Sequence, residues 1–130
     1  MNRYILVLVL VCGPAFLAVA PASAHHSFDV DYDTNKIANL TGVVTKLDWT
    51  NPHAYLSISF KDDAGAVKIY AIELGPPYAL TRGGWKRDTV KIGDKVMVQA
   101  AALSKDGSPR AGATQNTFLI LASGAKLPMR

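Results

Sequence analysis

The sequence predicts a small all-β protein, an OB-fold-like five-stranded Greek-key barrel with one short helix between strands 3 and 4. Three observations predict this fold class. Apolar and β-branched side chains recur with period two in five segments, turn residues separate the segments, and helix-end signals occur only after the third. A small β-sandwich is the alternative, but it requires more strands than the chain offers.

The first three predicted strands form an antiparallel meander. Gly42 lies inside the first strand and indicates a bulge or a sharp bend, as a strand needs when it curls into a barrel. Asn51 and Pro52 end that strand, and residues 61–65 form the turn between the second and the third. The three strands are predicted at residues 40–49, 54–60 and 66–74.

A short helix and a two-stranded hairpin complete the barrel. Pro76 marks the start of the helix and Gly84 its end, which is the usual asymmetry of helix termini. Asp106 and Gly107 form the turn signal of the hairpin. Its strands are predicted at residues 95–103 and 111–121, and a turn then leads into a short tail.

Residues 1–24 are predicted to be a secretory signal peptide. Arg3 supplies the positive start, an apolar stretch follows, and residues 22–24 form the Ala-Ser-Ala pattern that signal peptidase cleaves. A retained membrane anchor is the alternative, because the apolar stretch approaches the roughly 18 residues of a span. The predicted organisation is this signal peptide, an arm at residues 25–36 and one barrel domain at residues 37–130.

Composition restricts the functional classes. Removing 24 of the 130 residues leaves 106, enough for one domain with its own core, and removes Cys12, the only cysteine. The net charge falls from +4 to +3 with the loss of Arg3, and the remaining basic residues are scattered. We therefore expect a periplasmic or secreted monomer without disulfides, without a membrane span after cleavage and without a nucleic-acid partner.

The three histidines of the chain lie in two short motifs and predict a metal site. Cleavage after Ala24 makes His25 the amino terminus, where its α-amine and imidazole together chelate a metal. Copper(II) favours nitrogen donors in a tetragonal or T-shaped arrangement. His53, which follows Asn51-Pro52, supplies the third donor, and His26 is the alternative third ligand. The predicted role is metal handling or delivery.

Several neighbouring side chains have alternative interpretations. Asp29, Glu73 or the Tyr55 hydroxyl is expected to complete or orient the ligand shell, although Glu73 is expected first of all to pair with Arg82 or Arg87. The histidines also fit purely structural roles, as polar residues on an arm and at a turn. In that case the protein is a non-metal interaction module whose barrel binds a protein or glycan partner.

Enzymatic activity is not expected from the motifs present. The chain shows no Ser-His-Asp order, no retained cysteine, no paired glutamates and no Gly-rich phosphate loop. A copper-dependent activity stays open, because a terminal histidine chelate also occurs in copper oxidases. Trp49 and Trp85 are expected in the core rather than on a binding surface.

Short motifs follow one another along the predicted mature chain. They are His25 to Phe28, Thr41 to Val44, Trp49 to His53, Glu73 to Gly75, Gly83 to Trp85, Gly93-Asp94 and Lys105 to Gly107. In this order they resemble a domain-of-unknown-function family of short exported bacterial proteins, with one extra glycine before Trp85. The resemblance implies export and a compact β fold. It implies no established activity, so the function has to be argued from chemistry.

Overall fold

The computed structural model describes residues 27–130. The predicted signal peptide and the two histidines that follow it, His25 and His26, lie outside the described residues. In the described part the chain forms seven strands and two short helices. Neither of these helices has the length and apolar composition required to cross a membrane.

After a first helical turn that the sequence analysis did not predict, the elements follow one another in the predicted order, with three strands, a helix and then the remaining strands. The helices are α1 (Phe28–Asp31) and α2 (Pro77–Arg82). The strands are β1 (Tyr32–Asp48), β2 (Tyr55–Lys61), β3 (Val67–Glu73), β4 (Lys95–Ser104), β5 (Arg110–Gly112), β6 (Phe118–Leu121) and β7 (Lys126–Pro128).

Strands β1 to β5 close into a barrel. β1 pairs with β2 and β2 with β3, β5 lies between β3 and β4, and β4 pairs back with β1. The β3–β5 pairing is parallel, and the other pairings of the barrel are antiparallel. The predicted small all-β barrel of OB-like order is therefore confirmed. β6 and β7 extend the sheet from β4.

β1 is longer than predicted and begins at Tyr32, inside the segment expected to form an arm. Residues 32–43 pair with β4 and residues 43–48 with β2, so the strand has to curl between two partners. Register shifts lie on both sides of Gly42. A Cβ atom at Gly42 would lie 2.4 Å from the Ser59 carbonyl oxygen, which explains why this position has no side chain.

The fifth predicted strand, residues 111–121, is in fact two strands separated by a turn. The Thr114 amide donates to Thr117 Oγ1 at 2.8 Å, and the Thr117 amide donates to the Thr114 carbonyl at 3.1 Å. Thr117 Oγ1 in turn donates to the Ala100 carbonyl at 2.8 Å. Because these side chains satisfy the backbone of a turn, the chain leaves the barrel after Gly112 instead of continuing as a strand.

The end of the chain is part of the fold rather than the predicted short tail. β7 pairs with β6, and the side chain of Met129 is fully buried. Trp85, which follows α2, is also buried, and its Nε1 donates to the Pro128 carbonyl at 2.7 Å. Trp49 packs against the same core with its ring 6.4 Å from that of Trp85, so both tryptophans are core residues as predicted.

Candidate functional site

Glu73, the last residue of β3, lies at the centre of a polar cluster on the outer surface of the barrel. Its Oε1 lies 2.9 Å from Nδ1 of His53. Its Oε2 accepts a 2.9 Å hydrogen bond from the Tyr32 hydroxyl. The glutamate therefore joins the loop before β2 to the start of β1, two parts of the chain that are distant in sequence.

The β2–β3 ladder determines which side chains share this face. Tyr55 lies opposite Glu73 in the register, and Ile72 beside it points into the core. Successive residues of a strand point to opposite faces, so the side chains of Tyr55 and Glu73 both point outward. His53 precedes Tyr55 by two residues and therefore faces the same side.

Backbone hydrogen bonds extend this ladder beyond the ends of the strands and fix the position of His53. The Ala54 amide donates to the Gly75 carbonyl at 3.2 Å, and the Leu74 amide donates to the Ala54 carbonyl at 2.9 Å. Thr50 Oγ1 donates to the carbonyl of His53 at 3.2 Å. The imidazole is thus carried by backbone that is held on both sides, and it is only partly exposed.

Tyr32 reaches Glu73 from the start of β1. Its side chain is only 4% exposed, and its ring lies against Gly112 of β5, where a Cβ atom would come within 2.7 Å of Cδ2. The glycine leaves room for the ring to cross β5 and to place its hydroxyl on the carboxylate of the next strand. The Tyr32 hydroxyl therefore connects the start of β1 to the cluster around Glu73.

Both tyrosines of the cluster have raised pKa values. Burial, followed by the hydrogen bond to Glu73, raises the pKa of Tyr32 well above its usual 10.0. Burial and the negative charge of Glu73 also raise the pKa of Tyr55. The positive charge of Arg110 acts in the opposite direction on both groups. Both phenols are therefore neutral at physiological pH, and Tyr32 is a hydrogen-bond donor.

Of the predicted metal ligands, the structure places His53 in this cluster, whereas His25 and His26 lie outside the described residues. Within residues 27–130, His, Cys, Asp and Glu side chains form no group of three or more that could hold a metal ion. His53 is the only histidine among residues 27–130.

The expected pairing of Glu73 with Arg82 or Arg87 is wrong. Glu73 pairs with His53 and Tyr32, while the Arg82 guanidinium lies over the ring of Tyr78 on α2, 5.8 Å from its centroid. Arg82 and Arg87 were favoured as partners because they are close to Glu73 in the sequence. The side chain of Glu73 points outward, however, and reaches His53 in the loop before β2. His53 lies two residues before Tyr55, so the alternation of β2 places both side chains on the outward face that Glu73 shares. This spacing was the signal that could have identified His53 as the partner of Glu73.

Comparison with known protein families identifies a family of unknown function. The profile of a family of unknown function (DUF6152) matches residues 15–114, a range that includes all three histidines, Tyr32 and Glu73. This confirms the resemblance to a domain-of-unknown-function family. No curated protein and no solved structure matches the chain.

Proposed function

We propose that this chain, which belongs to the DUF6152 family, is an exported protein that binds a copper ion through His25, His26 and His53. The observation that carries the proposal is the 2.9 Å contact between His53 Nδ1 and Glu73 Oε1. Metal-ligating histidines in proteins commonly donate their second ring N–H to a carboxylate in this way. The role of such a protein is to hold or to deliver the metal.

The contact with Glu73 determines which nitrogen of His53 is available. When Nδ1 carries the proton and donates a hydrogen bond to the carboxylate, Nε2 has a free lone pair for a metal. Within the described residues the ring makes no other polar contact. Because Tyr32 donates to the second oxygen of Glu73, the carboxylate is held in place as an acceptor for the imidazole.

The remaining donors come from the amino-terminal residues. If the signal peptide is cleaved after Ala24, His25 offers an amine and an imidazole in one chelate, and His26 offers a further imidazole. A set of nitrogen donors suits Cu(II) better than Mg²⁺ or Ca²⁺, which prefer oxygen ligands. Sequencing the amino terminus of the protein recovered from the periplasm or medium tests the cleavage site directly.

The proposal is tested by comparing protein that begins at His25 with protein that begins at Ala22 and so retains Ala22-Ser23-Ala24. The three retained residues convert the α-amine of His25 into a peptide bond, and they leave no histidine within the first three positions, where a new terminal amine, peptide nitrogens and an imidazole would together bind Cu(II). We expect Cu(II) affinity, measured by competition with a chromophoric chelator, to fall by orders of magnitude in the extended protein. Equal affinity of the two forms would exclude the terminal chelate.

A second comparison tests the ligand from the barrel. His53→Phe keeps a ring of similar size and removes both nitrogens, and Asn51→Ala is a matched control at an exposed position of the same loop. We expect the electron paramagnetic resonance spectrum of bound Cu(II) to lose one nitrogen coupling in His53→Phe and to stay unchanged in Asn51→Ala. An unchanged spectrum in His53→Phe would remove His53 from the site.

A different observation favours the second candidate function, an interaction module that binds a protein partner. Val67 and Ile69 are 66% and 52% exposed and point outward from β3, on the face that leads to Glu73. Exposed apolar side chains that are adjacent on one face are typical of contact surfaces. If this is the function, replacing both residues with Thr abolishes partner capture, and chelating the copper has no effect on it.

A further inference from the structure

The segment that runs from the end of α2 to the start of β4 concentrates the positive charge of the described residues. From Arg82 to Lys95 it carries five basic and two acidic residues, whereas the rest of residues 27–130 carries eight of each. Within residues 27–130, the ion pairs are formed by side chains elsewhere, and none includes a side chain of this segment. Its positive charge is therefore not neutralised by the rest of the barrel.

Two buried side chains hold this segment on the barrel and leave the charged side chains outside. Trp85 and Val90 are 1% and 5% exposed and belong to the core. Their neighbours Lys86, Arg87 and Lys91 are exposed. The basic side chains therefore extend from backbone that is anchored in the core at two points, only five residues apart in the sequence.

Two tight turns bring these residues together. In the first, the Thr89 amide donates to the Lys86 carbonyl at 3.0 Å, and the Lys86 amide donates to Thr89 Oγ1 at 2.6 Å. In the second, the Asp94 amide donates to the Lys91 carbonyl at 3.0 Å, and the Lys91 amide donates to Asp94 Oδ2 at 2.8 Å. Thr89, Asp94 and Lys95 line one cavity of about 210 Å³, so the two turns lie side by side.

Ile92 occupies the corner of the second turn. It is 80% exposed, more than any other large apolar side chain of residues 27–130. Gly93 follows it with a φ of +97°, which favours glycine at this position of a tight turn, and its amide donates to the Val44 carbonyl of β1 at 2.8 Å. The turn is thus tied to the barrel, and it holds an isoleucine out beside the basic side chain of Lys91.

We propose that the exposed side chains of residues 86–95 form a basic surface that binds an anionic lipid bilayer peripherally. The basic side chains lie against the lipid phosphates, and Ile92 enters the apolar side of the headgroup region. Anionic lipids attract clustered basic residues, and an apolar side chain among them adds burial that a soluble polyanion does not provide. This inference is independent of the proposed copper function.

Two acidic residues lie within the basic surface and reduce its charge. Asp94 is partly buried, and its Oδ2 accepts the hydrogen bond from the Lys91 amide, so this carboxylate is turned toward its own backbone. Asp88 is exposed in the first turn. Four basic residues face these two carboxylates, so the surface keeps an excess of positive charge beside Ile92.

The surface is tested by sedimenting protein that begins at His25 with lipid vesicles, in buffer with a chelator so that copper takes no part. One set of vesicles contains equal parts of phosphatidylglycerol and phosphatidylcholine, and the other contains phosphatidylcholine alone. We expect binding to the anionic vesicles only, and release as sodium chloride is added, because salt screens the attraction. Failure to sediment with the anionic vesicles would overturn the inference and leave the copper function untouched.

The contribution of charge is tested by replacing Lys91 and Lys95 together with Gln. We expect binding to the anionic vesicles to weaken about 30-fold, which corresponds to about 5-fold for each basic residue near the surface. The control replaces Lys36 and Lys61 with Gln, because both are exposed lysines outside the basic surface and their loss changes the net charge equally. This control is expected to bind nearly as well as the unaltered protein. Equal losses in the two double variants would exclude a localised surface.

Ile92→Ser separates a lipid surface from a site for soluble polyanions. We expect this variant to bind the anionic vesicles about 10-fold more weakly, because part of the apolar side chain is no longer buried. Ile37→Ser is the matched control, since Ile37 is 57% exposed on β1 and lies outside the basic surface; its binding is expected to be unchanged. Equal binding of Ile92→Ser and the unaltered protein, with retention of both on heparin, would replace the lipid by a soluble polyanion and overturn the inference.

Discussion

Tyr32 and Glu73 are joined by a 2.9 Å hydrogen bond, although 41 residues separate them in the sequence. The bond ties the start of β1 to the end of β3, and the second oxygen of Glu73 ties both to the loop that carries His53. Glu73 is the only glutamate of the chain. A single carboxylate therefore connects the three parts of the fold that form the candidate site.

Replacing Tyr32 with Phe removes the hydroxyl of this bond and leaves the packing of the ring intact. We expect the free energy of unfolding to fall by about 1.5–3 kcal/mol, the usual contribution of a hydrogen bond to a charged group. Urea unfolding measures the difference. Tyr78→Phe is the control, because Tyr78 is 65% exposed and its hydroxyl makes no hydrogen bond within the described residues; its stability is expected to match that of the unaltered protein.

The raised pKa of Tyr32 predicts a loss of stability at alkaline pH. Burial, and then the bond to Glu73, keep the phenol protonated in the folded state above its usual value of 10.0, at which it ionises in the unfolded chain. The unfolded state therefore binds fewer protons, and stability falls as the pH rises above about 10. Unfolding midpoints between pH 8 and 11 should decline less steeply in Tyr32→Phe, and identical slopes would contradict the assignment.

Glu73→Gln tests whether the carboxylate supports His53 as a copper ligand. The amide keeps the size of the side chain and an acceptor oxygen but removes the negative charge behind the imidazole. We expect Cu(II) affinity to fall by about 10–100-fold, as is usual when such a partner of a ligand is altered. Asp48→Asn, opposite Tyr55 in the β1–β2 pairing, removes the same charge without touching His53 and is expected to change affinity little.

Local sequence patterns predicted most of the fold, whereas contacts between residues that are far apart in the sequence form the candidate site. Period-two alternation placed β2 and β3 correctly, and the outward parity of Tyr55 and Glu73 follows from it. The contact between Tyr32 and Glu73 was not predictable, because it depends on how β1 curls across Gly112 of another strand. The period-two pattern alone also failed to predict the turn at Thr114, where side-chain hydrogen bonds to the backbone interrupt the predicted fifth strand.

The loop between β4 and β5 provides a prediction for acidic pH. Hydrogen bonds from Ser104 and then Ser108, with Arg110 contributing, hold the pKa of Asp106 well below its usual 3.8. Such a carboxylate stabilises the fold above pH 3.8, and this contribution is lost as the pH falls and the group is protonated. Asp106→Asn should therefore lower the thermal midpoint at neutral pH and make progressively less difference below about pH 4.

Asp63→Asn is the matched control for that experiment. Asp63 is exposed and lies in the turn between β2 and β3, and the described residues provide its side chain with no hydrogen bond. Its replacement is expected to leave the thermal midpoint unchanged across the same pH range. A pH dependence of equal size in both variants would show that net charge, rather than the local hydrogen bonds of Asp106, is responsible.

Thr117→Val tests the turn that divides the predicted fifth strand. Valine has the same shape as threonine, but it removes the donor to the Ala100 carbonyl and the acceptor of the Thr114 amide. Because Thr117 is fully buried, we expect a loss of about 1–3 kcal/mol in the free energy of unfolding, measured in urea. Thr81→Val, at an exposed position of α2, is the control and is expected to cost far less. Equal losses in the two variants would show that the Thr117 hydroxyl is not what maintains the turn.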